Sequence, residues 1–202
     1  MPSNFNLQSN QHPSCQRGDG GDLGSPPLEK GNKGGLVILG VDPGFGRTGL
    51  GVISMKGGKL THIWHSCIET PPDAPFTERL QMVRNDLVEA IRRFAPNVAA
   101  VEHLFFQSNV KTAINVGMAR GVILLALADA NLPTVELTPN EIKQTVAGHG
   151  AADKKQIQFM VTRLLSLKDT PKPDDAADAL AIAIAGGFVY QTQSKISKNS
   201  KI

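Results

Sequence analysis

The sequence predicts an α/β fold: a five-stranded mixed sheet, three strands antiparallel and then two parallel, with helices on both faces. Three observations predict it. Apolar, β-branched segments follow one another across residues 36–68 with only short turns between them, the pattern of an antiparallel meander. From residue 76 onward, helical periodicity alternates with short apolar segments, the pattern of crossover units. The chain has 202 residues, 41% of them hydrophobic, enough to bury one core without disulfides or a structural metal.

The elements follow in order. Leu36 to Val41 is a β-branched run that reads as a buried strand, and the Gly-rich stretch Asp42-Pro43-Gly44-Phe45-Gly46-Arg47-Thr48-Gly49 is a turn. Leu50 to Met55 is the second strand, Lys56-Gly57-Gly58-Lys59 a hairpin turn, and Leu60 to Ile68 the third strand. Phe76, Leu80, Val83, Leu87, Ile91 and Phe94 recur at spacings of three and four, so they share one face of a helix that stops before Pro96. Val98 to Glu102 is a fourth strand. Residues 111–130 form a helix with little polar face, and Thr134 to Leu137 is the fifth strand. Thr138-Pro139-Asn140-Glu141 reads as a cap with proline at the first helical position. Ile157, Met160, Val161, Leu164 and Leu165 mark another helix, and Asp175 to Gly186 the last.

The flanks differ. Residues 1–35 are rich in Ser, Asn, Gln, Gly and Pro and bury too little to offset ordering entropy; they are expected to be a disordered extension. Residues 36–189 form the expected domain, and 190–202 a short, basic, flexible tail. There are 21 Lys and Arg against 18 Asp and Glu, a net charge of +3. Residues 36–189 carry equal numbers of each, so the excess sits in Lys195, Lys198 and Lys201. Net charge therefore does not announce a nucleic-acid partner. Cys15 and Cys67 form no CxxC pair, which argues against a disulfide framework or a zinc site. No apolar run is long enough to span a membrane and the first residues hold no apolar signal core, so a cytoplasmic protein is expected.

Four carboxylates stand in unusual places. Asp42 and Glu102 each end an apolar strand, where functional groups of α/β sheets gather. Asp175 and Asp178 are three apart at the start of the final helix and share a face; Asp174, four before Asp178, fits that spacing equally well. Each has an ordinary explanation: turn capping for Asp42, an exposed strand end for Glu102, dipole complementation for Asp174 and Asp175. Asp178 is harder to explain so, because it lies among Ala176, Ala177, Ala179, Leu180 and Ala181, where an unpaired carboxylate is costly. Brought to one spot, the four would repel strongly, and no Lys or Arg neighbours them in sequence. All-oxygen ligands suit Mg²⁺ or Mn²⁺, and two Mg²⁺ roughly 3.5–4 Å apart support phosphodiester hydrolysis.

Val41-Asp42-Pro43-Gly44 with Thr48-Gly49, Val101-Glu102-His103-Leu104-Phe105, and Asp175-Ala176-Ala177-Asp178-Ala179-Leu180-Ala181 resemble the RuvC family of crossover-junction endodeoxyribonucleases. Met118-Ala119-Arg120-Gly121, Leu137-Thr138-Pro139-Asn140, Lys143-Gln144 and Gly148-His149-Gly150 match the same pattern, in order, over about residues 36–187. The resemblance implies an RNase H-like fold and a homodimer that resolves four-way Holliday junctions in recombination and repair by two symmetric nicks, leaving 5′-phosphate and 3′-hydroxyl ends. It makes Asp42, Glu102, Asp175 and Asp178 the catalytic, metal-binding tetrad, choosing Asp175 over Asp174, with two Mg²⁺ per site and Mn²⁺ as a substitute. It also implies the RuvA–RuvB branch-migration complex as a partner. The extension before residue 36 is not part of the family pattern.

By the same resemblance Phe105 is the side chain that stacks on an unpaired base, although a core position for it or for Phe106 is also compatible with the sequence. Lys143 and Lys154 match basic positions near the phosphates, where lysine gives sequence-independent affinity. Asn109, with Gln107 and Ser108, either lines the nucleotide path or belongs to an ordinary loop; Arg47 and Arg120 are further DNA candidates. Ile114, Met118, Val122, Leu125 and Leu127 need cover on more than one side of their helix, by burial within the chain or at a two-fold seam. A nucleotide-dependent phosphotransferase of the actin–hexokinase superfamily also carries an Asp and Gly-rich turn after its first strand, but this chain shows no second Gly-rich phosphate loop.

Overall fold

The computed structural model describes residues 35–103 and 110–199. The elements are β1 (Leu36–Asp42), β2 (Arg47–Lys56), β3 (Lys59–Glu69), α1 (Phe76–Phe94), β4 (Val98–Glu102), α2 (Val110–Asp129), β5 (Thr134–Leu137), α3 (Pro139–Ala147), α4 (Lys154–Leu164) and α5 (Asp174–Asn199). The sheet has the order β3-β2-β1-β4-β5. β1 pairs antiparallel with β2, and β2 with β3, while β4 runs parallel to both β1 and β5. The expected mixed sheet, three strands antiparallel and two parallel, is the one that forms.

Strand alternation divides the core in two. Ile38, Ala100, Val135 and Leu137 face one side and pack with α5, α3 and α4. Val37, Leu39, Val41, Ala99 and Val101 face the other and pack with α1 and α2. The period of two therefore puts Gly40 and Asp42 on the α5 side of β1, and Glu102 on the same side of β4.

Two glycines set how closely α5 can lie. A Cβ at Gly40 would overlap the Ala179 carbonyl oxygen, and one at Gly49 the Asp175 carbonyl oxygen. Only hydrogen at both positions lets the α5 backbone rest on β1 and β2. Gly187 lies over Ile38 and Met55, so α5 runs back along β1 from the Asp42 end. The start of α5, with Asp174, Asp175 and Asp178, is thereby pinned at the sheet edge where β1 and β4 terminate.

The last helix departs from expectation. Residues 190–199, expected as a flexible tail, continue α5 to Asn199. Residues 176–185 are buried except Asp178 and anchor the helix on the core; Val189 and Tyr190 still pack there, and no proline interrupts the segment that follows. Elongating an existing helix costs far less than starting one, so polar residues suffice there. The expected extension 1–35 lies outside the described residues, apart from Gly35.

Candidate active site

Asp42 and Glu102 are neighbours by register. Val41 pairs with Val101 in the parallel β1–β4 ladder, so the next residues on each strand stand side by side. α3 begins at Thr138, immediately after β5. Its hydroxyl accepts from the Glu141 backbone N at 3.2 Å, while the Glu141 carboxylate accepts from the Thr138 backbone N at 2.8 Å. α4 begins with the same device: Asp153 accepts from the Gln156 backbone N at 2.8 Å, and Gln156 Oε1 accepts from the Asp153 backbone N at 2.9 Å. These reciprocal caps fix both helix starts, with Lys143 one turn into α3 and Lys154 at the head of α4.

The result is an open hollow of about 230 Å³. Asp42, Glu102, Asp178, Lys143 and Lys154 line it, with Ile142, Ile157, Ala181 and Ile182 forming apolar walls. Burial pushes the Asp42 carboxyl up to about 7, and the negative charges of Glu102, Asp178 and Asp175 push the same way. Burial raises Glu102 as well, helped by Asp178 and opposed by Lys143. Burial also raises Asp178, against the hydrogen bond and charge of Lys154. Low polarisability of the walls and mutual repulsion are the common causes.

Two cations reach the acids across space, which their separation in sequence conceals. Lys154 Nζ lies 3.1 Å from Asp178 Oδ2 and 3.1 Å from Asp174 Oδ2. Arg47 Nη1 lies 3.5 Å from Asp175 Oδ2, and its Nη2 2.7 Å from Glu69 Oε1. The Arg47 side chain is half exposed, at the rim; Asp175 is not among the residues lining the hollow, though its charge is felt at Asp42. Among the described residues no three acid, His or Cys side chains are already drawn into a ligand cage. Two of the four carboxylates are instead engaged by these cations.

The chemistry of this donor set fits a hard divalent cation. The donors are carboxyl oxygens, and burial and like charge push one of them, that of Asp42, up to about 7. A dication would relieve both the repulsion and the desolvation cost. Lys143 and Lys154 bring two positive side chains to the same hollow.

The other sequence candidates fall elsewhere. Phe105, Phe106, Gln107, Ser108 and Asn109 lie outside the described residues. Arg120 pairs with Glu136 on the α2 side of β5, away from the hollow. His149 lines a second hollow with Asp153, Lys155 and Phe159. Sequence reasoning missed the reach of Arg47 to Asp175 and the bond of Lys154 to Asp174; nothing in the linear spacing signals either.

A family model described as crossover junction endodeoxyribonuclease RuvC matches residues 38–186. The chain belongs to the RuvC family. Its RuvC relative from Thermotoga petrophila is 52% identical over 148 residues, spanning 73% of this chain and 90% of that protein. The RuvC of Desulforamulus reducens is 51% identical over 149 residues, spanning 74% and 91% respectively. Among solved structures, Thermus thermophilus RuvC in complex with a Holliday junction substrate superposes with a TM-score of 0.75 at 37% identity, covering 78% of this chain and 96% of that one. The yeast mitochondrial Holliday junction resolvase Ydc2 shares the fold at 17% identity and a TM-score of 0.56, covering 80% of this chain and 83% of its own. The RNase H-like architecture implied by the motifs is thus the architecture of RuvC, and no described helix is long and apolar enough to cross a membrane.

Proposed function

We propose that this chain is a magnesium-dependent, structure-specific endonuclease that resolves four-way Holliday junctions by symmetric paired nicks, leaving 5′-phosphate and 3′-hydroxyl ends. The observation that carries the reading is the convergence of Asp42, Glu102 and Asp178 with Lys143 and Lys154 on one hollow at the ends of β1 and β4. Asp42, Glu102, Asp178 and Asp175 would hold the cations. When bound, a pair of dications supplies positive charge to the scissile phosphate and acidifies water at neutral pH. Lys143 and Lys154 then attract and orient the phosphate backbone, and the apolar walls exclude bulk water from its inner side. Phe105 is the proposed stacking residue, and Asn109 and Arg120 further DNA contacts.

A junction has two equivalent strands to cut, which calls for two matching sites. A homodimer supplies them through α2. Ile114, Met118 and Leu125, spaced four and seven apart, are 53%, 50% and 58% exposed on one face of that helix. Apolar exposure on this scale supports a self-complementary two-fold contact. The RuvA–RuvB complex is the proposed partner and the cytoplasm the proposed location, readings that the family relation supports.

Incubation with a synthetic four-way junction, with and without Mg²⁺, tests the reading. Paired nicks that need the metal and spare linear duplex are expected. Asp178→Asn should retain junction binding and abolish nicking; cutting at the normal rate would remove Asp178 from the catalytic set.

A further inference from the structure

Asp174 is the acid that spacing could not separate from Asp175, and the family pattern leaves it without a task. Its side chain is exposed, yet it accepts from Lys154 Nζ at 3.1 Å and from Gln158 Nε2 at 3.3 Å. The same Lys154 ammonium lies 3.1 Å from Asp178 Oδ2. Lys154 is thus shared between one acid that lines the hollow and one that does not. Gln158, one turn along α4, braces Asp174 from the same helix that carries Lys154.

We propose that Asp174 is a positioning residue for Lys154. It gives the ammonium a second place to rest, so that the Asp178 carboxylate can exchange Lys154 for a divalent cation while the lysine stays beside the hollow for the incoming phosphate. The inference rests on the metal-dependent nuclease reading of this hollow. Without Asp174, Lys154 keeps Asp178 as its ion-pair partner among the described residues, and it competes directly with the cation for that carboxylate. An exposed ion pair of this kind shifts an equilibrium by about two- to fivefold.

The test is Mn²⁺ binding to the full-length, DNA-free protein, read by titration calorimetry. Asp174→Asn keeps the size of the side chain but removes the charge; it is expected to weaken Mn²⁺ binding about two- to fivefold. Asp174→Glu should restore it. Lys154→Ala removes the competitor and should bind Mn²⁺ at least as tightly as the wild type. The decisive arm is Asp174→Asn in the Lys154→Ala background, where the effect should vanish. An equal loss in both backgrounds would mean that Asp174 acts only as a nearby negative charge, and no loss in either would leave it a surface residue. In single-turnover cleavage at saturating Mg²⁺, Asp174→Asn should lower the nicking rate without changing junction affinity. A wild-type protein that binds no Mn²⁺ and cuts no junction would instead overturn the nuclease reading itself, and the role of Asp174 with it.

Discussion

Substituting Asp42 by Asn removes a charge from a buried strand end with almost no change in volume. The carboxyl is held at about 7 against an ordinary 3.8, chiefly by burial and then by Glu102, Asp178 and Asp175. That displacement corresponds to about 4 kcal/mol of preference for the neutral form. The direction of its effect on stability follows from where protons bind. Below about pH 4 the group is neutral both folded and unfolded, and Asp and Asn behave alike. As pH rises from there to about 7, the unfolded chain ionises while the folded one stays protonated, so the wild type progressively loses stability. Above that range the loss is complete. Asp42→Asn should therefore stabilise the metal-free protein by up to about 4 kcal/mol near pH 8, with the gain fading towards pH 4. Urea unfolding in a chelator, repeated across this pH range for both proteins, measures it. Adding Mg²⁺ should close the gap by stabilising the wild type more, while nicking by the variant is abolished. A variant less stable than the wild type near pH 8, or a gain independent of pH, would refute the electrostatic account of the hollow.

Three further outcomes are expected. Gly40→Ala forces a methyl group against the Ala179 carbonyl; it should cost about 1–3 kcal/mol and slow cleavage by displacing the start of α5, checked by denaturation and junction assays. Met118→Asp places a charge on the exposed face of α2; if the proposed homodimer forms there, the wild type should sediment as a dimer and the variant as a monomer, and a dimer in both would exclude this face. Phe105→Ala should bind junctions but cut them roughly 5- to 150-fold more slowly, the range set by the loss of one base stack; unchanged turnover would return Phe105 to a packing role.

Much of the acidic end of the sheet was legible in the residues. Asp42 and Glu102 close runs of buried aliphatics, and an acid in that setting stands out because strand ends are where the backbone stops protecting polar groups. Thr138 before Pro139 announced the start of α3. The reach of α5 was not legible, because residues 190–199 have no apolar period of their own and are helical by continuation from a buried segment. Nor were the ion pairs of Arg47 and Lys154, which join residues more than twenty positions from one or more of their partners.

Apart from the reach of α5, the sequence by itself determined the order and kind of the elements, the sheet face on which each strand side chain lies and the kind of atoms available for chemistry, since the periods of two and 3.6 and the residue types are local properties. Only the tertiary structure decided which charges meet. The distances among Asp42, Glu102, Asp178, Asp174 and Lys154 depend on α5 settling onto Gly40 and Gly49 and on α4 being capped beside it. Coulombic energy falls with separation in space, and separation along the chain carries no information about it until the packing is complete.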